Sequence, residues 1–171
     1  MIKIHYWRIT KYNPKNRDEN GIYQKYEWTS VSEVGKIFDN GELLFDVYLF
    51  CENAYIDAII KIMRENGVES LKVDALEIHN YDNYADFTEP TTKKYFRTLR
   101  NNMLIPKQEV AQVSRFILRE LIWCKLVSDR MFVHFGYDYY MYIGSEQQSE
   151  ELLKAIESNG LFVEIVVSPY L

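Results

Sequence analysis

Residues 131–145, MFVHFGYDYYMYIGS, constrain the fold of this chain more than any other stretch. Strand-favouring aromatic and β-branched residues flank a short Gly/Asp break, which is a hairpin signature. The reading predicts strands over 131–135 and 139–143 joined by a three-residue loop, Gly136-Tyr137-Asp138, in place of the two-residue Asn-Gly type. Flanks this apolar belong in the middle of a sheet. Phe132, Phe135, Tyr140 and Tyr142 are then sheet and core residues. The turn sets a carboxylate and several phenols, Tyr137, Asp138 and Tyr139, at one edge, where they are candidate contacts for a partner.

The rest of the chain supplies elements for such a sheet. Residues 2–10 alternate as a strand. A polar loop follows Asn13-Pro14, and 22–28 reads as a short strand pairing back on the first. Ser30 to Glu33 has capping-box spacing, which predicts a short helix to about Phe38 and a turn at Asp39-Asn40-Gly41. Apolar residues from Val47 to Met63 recur at helical intervals, so a long helix runs from about 44–46 to Asn66, closed by Gly67. A strand over 71–78 ends near His79. Residues 92–105 suggest a short basic helix. Pro106 suits the first position of the next helix, which runs to about Leu121, with a strand from about Trp123. Ser145 is placed to cap a helix over 146–158. Residues 161–167 read as a last strand, apolar enough to be buried on both faces. The expected fold is α+β, one domain over 1–171, with a mixed or mainly antiparallel sheet of five or six strands and helices packed against it.

The net charge of −5 is unevenly distributed. Residues 31–91 hold thirteen acids against four Lys/Arg, whereas 92–135 hold nine Lys/Arg against three acids. If the blocks stay apart in space, the acidic one steers basic partners toward it; the alternative is that they intermix. Within the acidic block, residues 79–91 combine Asn, Asp, Tyr and Pro without period and read as a long surface loop. Its pairs Tyr81-Asp82 and Tyr84-Asp86 suit recognition of Lys or Arg. Fourteen tyrosines add to this picture, since Tyr offers rigid area together with a hydroxyl. Strand preference alone also accounts for many of them.

Motifs with defined chemistry are absent from the sequence. There is no phosphate-binding Gly-rich loop and no dinucleotide Gly triplet. Two cysteines and three histidines, at positions 51, 124, 5, 79 and 134, lack the paired spacing of a metal site. Cys51 and Cys124 lie in apolar segments and read as reduced core residues, which suits a cytosolic protein, although a disulfide between them stays open. His134, between Val133 and Phe135, reads as a sheet histidine. No apolar run reaches the roughly 18 residues that span a bilayer, and the N-terminal residues do not read as a signal peptide. The expectation is a non-enzymatic protein with no cofactor, no metal and no membrane contact.

Four segments, MIKIHYWRITKYNP, YEWTSVSEVG, FGYDYYMYIG and GLFVEIVVSPYL, resemble small bacterial immunity proteins of polymorphic and contact-dependent inhibition toxin systems. The resemblance implies a cytoplasmic protein that binds one cognate toxin domain, often a nuclease, as a heterodimer, and it implies no catalytic residues. An acidic, tyrosine-rich inhibitor suits such a toxin, whose substrate groove is basic. Tyr81, Asp82, Tyr84, Asp86, Tyr137, Asp138 and Tyr139 are the expected contacts, and no direct binding of nucleic acid is expected. The alternative from another class is a small nucleic-acid-associated regulatory domain that uses the basic 92–135 segment.

Overall fold

A computed structural model of the chain describes residues 2–79 and 90–171. In chain order the elements are β1 (His5–Thr10), β2 (Ile37–Phe38), β3 (Gly41–Glu42), α1 (Phe45–Glu65), β4 (Ser70–Ile78), α2 (Pro90–Phe96), β5 (Leu104–Pro106), α3 (Lys107–Leu118), β6 (Ile122–Val127), β7 (Met131–Phe135), β8 (Met141–Ser145), α4 (Glu150–Glu157) and β9 (Phe162–Glu164). The fold is α+β, a single domain. Its main sheet has seven strands in the order β5-β4-β6-β7-β8-β1-β9, every pair antiparallel. β7 is its fourth and central strand, as the apolar hairpin requires.

Strand alternation sorts the two faces. Trp7 and Ile9 of β1, Leu71 and Val73 of β4, Cys124 and Leu126 of β6, Val133 of β7 and Ile143 of β8 are buried in one core with the inner faces of α1, α3 and α4. α1 has no side-chain cap at Leu44, worth about 1 kcal/mol where present. Its burial outweighs that loss. Tyr48, Tyr55, Ile59, Ile62 and Met63 are fully enclosed, each contributing about 1.5–3 kcal/mol. The opposite face is partly covered by the C-terminal segment. Ser168 bonds His134 at 2.8 Å, the Lys125 ammonium donates to the Tyr170 carbonyl, and the Tyr170 ring lies against Trp123 and Tyr142. His134 is thus a satisfied sheet histidine. Burial, with Lys125 nearby, pushes its pKa down to about 4, so it is neutral at physiological pH.

Several expectations are corrected by competition for partners. Residues 22–28 form no strand; a single bridge joins Arg17 and Tyr23. The edge of β1 that such a strand needs is taken by β9, and β8 holds the other. The helix expected from Ser30 stops after one 3-10 turn, Val31–Glu33. The Glu33 carboxylate accepts from the Thr29 N–H at 2.6 Å, one residue before the N-cap that a capping box would use, and the chain then turns into the β2–β3 hairpin. α3 ends at Leu118, three residues early. Pro106 is its N-cap and also closes β5, a strand the sequence reading lacks. Ser149, not Ser145, caps the following helix, accepting from the Leu152 N–H at 3.1 Å. The last apolar run is not buried on both faces: β9 is a three-residue edge strand, and Ile165 beyond it is 89% exposed.

The two charge blocks meet at two points among the described residues. Glu69 of the acidic block pairs with Lys107, and Glu52 with Arg115 and Arg119. Arg130 of the basic segment is also spent on the Asn66 carbonyl.

Candidate functional site

The turn that joins β7 to β8 is built differently from the expected three-residue loop. Phe135 pairs with Met141, and the Gly136 N–H donates to the Tyr140 carbonyl at 2.8 Å. Inside that pair the Tyr140 N–H donates to the Tyr137 carbonyl at 3.2 Å, which leaves Asp138 (φ 58°) and Tyr139 (φ 67°) as the two central residues. Both lie in the left-handed region, as a primed hairpin turn demands, at positions where Asn-Gly is the usual choice. For non-glycine residues that conformation costs about 1–2 kcal/mol each.

Tyrosines from elsewhere in the chain hold the turn in place. The Tyr12 hydroxyl donates to the Asp138 carbonyl at 2.6 Å, and the Tyr55 hydroxyl to the Tyr139 carbonyl at 2.8 Å. Tyr55 also accepts the Lys11 N–H at 2.8 Å. The Tyr139 ring is buried edge-on against Tyr55 and Trp28, with centroids 4.7 and 5.0 Å apart. Its hydroxyl donates to Tyr48 at 3.2 Å, and Tyr48 donates in turn to Glu52 at 2.7 Å. Burial pushes the Tyr12, Tyr48, Tyr55 and Tyr139 phenols up, so all four remain hydrogen donors at neutral pH. Hydrogen bonds of about 0.5–1.5 kcal/mol each, with the burial of Tyr139, outweigh the backbone cost.

Glu52 closes this chain of bonds. Its carboxylate has no exposure and also accepts from Arg119 Nε and Nη2, both at 2.8 Å, and from Arg115 Nε at 2.9 Å. The arrangement neutralises a buried charge and ties α1 to α3 at the end of α3 from which the chain returns to the sheet.

Beside the turn lies a cleft of about 360 Å³. Its buried lining is apolar: Ile117, Leu118 and Ile122. Trp123 and Tyr137 add aromatic surface, and Glu120 and Asp138 add carboxylates. Among the described residues no Lys or Arg lines it. Glu120 follows α3 in the left-handed conformation (φ 61°), and its carboxylate accepts from the Ser30 hydroxyl at 3.2 Å. His79 also lines the cleft, but its Nδ1 lies 3.0 Å from the Glu120 backbone carbonyl, and its Nε2 is 4.0 Å from the exposed Glu77 carboxylate. Cys51 and Cys124 are both free thiols, pushed up to about 12 by burial, which disfavours the reactive thiolate. Among the described residues no group of three His, Cys, Asp or Glu is arranged to hold a metal ion, and no helix is long and apolar enough to cross a membrane.

The predicted contacts divide three ways. Tyr137 is 88% exposed at the tip, and Asp138 beside it is exposed with a carboxylate that takes up no hydrogen bond among the described residues. Tyr139 is 6% exposed, so it is an anchor of the turn and not a contact. Tyr81, Asp82, Tyr84 and Asp86 lie outside the described residues. The sequence reading missed Glu120, Trp123 and the Glu52 cluster. A signal for Glu52 was present: it stands four residues after Tyr48 and four before Ile56, on the buried stripe of the helix and not on its polar face. Compared with protein-family models, with curated proteins and with solved structures, the chain matches none.

Proposed function

We propose that this protein is an immunity-type inhibitor that binds one basic toxin domain, of the kind nucleases provide, with the tip of the β7–β8 turn at the centre of the contact. The observation that carries this reading is the contrast at the tip. The backbone is held by tyrosine hydroxyls in a costly conformation, while Tyr137 and the Asp138 carboxylate project from it unspent. Strain retained at an exposed turn is a mark of recognition, because a rigid tip loses little entropy on binding. An exposed tyrosine beside a free carboxylate supplies buried area and an attraction for cations. The resemblance of the four sequence segments to immunity proteins supports the same reading.

The test is the double substitution Tyr137→Ala with Asp138→Asn, measured by titration against the cognate toxin domain, sought among the genes flanking this one. The expected result is a loss of about 2 kcal/mol or more in binding, with a weaker dependence of association on salt and loss of protection in cells. A variant that binds and protects like the wild type would exclude the turn as the contact.

A further inference from the structure

We infer that the cleft beside the turn is a receptor for a single arginine side chain presented by the partner. The inference rests on the proposed binding role and names the chemistry the cleft selects. Five non-glycine residues among those described have a positive φ, and three of them, Glu120, Asp138 and Tyr139, line this one cleft. They come from two separate connections, the α3–β6 junction and the β7–β8 turn. At Glu120, just after the end of α3, glycine is the usual residue because it has no Cβ to strain. Asp tolerates the left-handed region better than most residues, but Glu has no such excuse. A side chain kept there against its backbone preference points to a use for the side chain, and Glu120 is one of the residues that line the cleft.

The lining then identifies the ligand. An apolar depth formed by Ile117, Leu118 and Ile122 suits a methylene stem. Trp123 and Tyr137 also line it, and aromatic rings are what a planar guanidinium stacks on. Glu120 and Asp138 supply two carboxylates with no Lys or Arg among the described lining residues to neutralise them. An ammonium ion gains the charge attraction but neither the stacking nor the forked hydrogen bonds, so the cleft prefers arginine to lysine.

The probe is Nα-acetyl-arginine amide, titrated into the protein alone while the Trp123 indole N–H signal is followed by NMR. The neutral isostere Nα-acetyl-citrulline amide and the corresponding lysine derivative run in parallel. Saturable shifts in the millimolar range are expected for arginine, with citrulline weaker by about tenfold and lysine between them. Glu120→Gln with Asp138→Asn should erase the difference between arginine and citrulline. Glu120→Gly should weaken arginine binding while raising Tm, because it removes the charge and relieves the backbone together; a purely structural Glu120 would lose stability instead. Equal binding of citrulline, tighter binding of lysine, no saturable shift at Trp123, or a lower Tm for Glu120→Gly would each overturn the assignment. These measurements need no toxin, so they fail or succeed separately from the inhibitor reading. That reading fails if the intact protein forms no complex with a toxin domain.

Discussion

Glu52 and Asp138 are both carboxylates, and they are put to opposite uses. Glu52 is enclosed and accepts four hydrogen bonds, from Tyr48, Arg115 and twice from Arg119. Asp138 is exposed and, among the described residues, gives up only its backbone carbonyl, to Tyr12. The two sit at opposite ends of one connected structure, since Glu52 leads through Tyr48 to Tyr139 at the turn. Some of the acidic charge that looked like a binding face in the sequence is drawn into the fold, as Glu52 and Glu69 show. Asp138 is left for a partner, on a turn that the Glu52 cluster reaches through Tyr48 and Tyr139.

The largest expected effect tests the structural half of this contrast. Glu52→Ala leaves two guanidinium groups facing an empty site, one of them, Arg119, with a side chain only 4% exposed. Burial alone lowers the affinity of that group for its proton, and the bonds to Glu52 more than reverse the effect. Removing one partner of such a buried cluster costs about 3–5 kcal/mol. Chemical denaturation of the variant should show a midpoint shift of that size with a compact native state. A loss below about 1 kcal/mol would show that the cluster does not hold α1 against α3.

The parts of this contrast were not equally visible in the amino-acid sequence. The long helix, the central hairpin and the strands at 5–10 and 70–78 were legible because each carries its periodicity within itself. The segments misread were those whose state depends on a partner elsewhere. Residues 22–28 have strand composition, but β9 already occupies the β1 edge they need. Residues 161–167 have the apolarity of a central strand, yet they lie at the sheet's edge, where only three residues pair. The same division holds at the site. Tyr137 and Asp138 could be located from a Gly/Asp break in an apolar run. That Tyr139 turns inward could not, because it depends on Trp28, Tyr48 and Tyr55, which approach from the N-terminal segment and α1. Glu120 was hidden for a related reason: its place in the cleft follows from where α3 stops, and that was misjudged by three residues.

A smaller effect tests the link between the two halves. Tyr55→Phe removes only a hydroxyl, but that oxygen donates to the Tyr139 carbonyl and accepts the Lys11 N–H. Both backbone groups lose a partner at a site with no exposure around the ring. The expected cost is about 1–3 kcal/mol, and the loss should be concentrated at the turn. Hydrogen exchange should then speed up at the Tyr140 and Gly136 amides, which close the turn, more than at β7 amides near Val133. Uniform acceleration across the hairpin would mean that the turn is not separately anchored.

The smallest expected effect is the most informative about function. Asp138→Asn and Glu120→Gln keep size and shape and remove charge. If these carboxylates are held for a partner, the free protein gains nothing from their ionisation. Asn also tolerates the left-handed backbone at 138 as well as Asp does. Glu120 loses at most part of one exposed bond from Ser30. Each substitution should therefore change the denaturation midpoint by an amount equivalent to less than about 0.5 kcal/mol, the ordinary range for surface positions. Removing two like charges from one cleft could even stabilise slightly. A substantial loss of stability in either variant would place that carboxylate beside Glu52 among the structural charges, and the contrast between spent and unspent acids would have to be redrawn. Stability unchanged in both variants, with the partner's affinity reduced, would mark the cleft and the turn tip as acidic surface used in recognition.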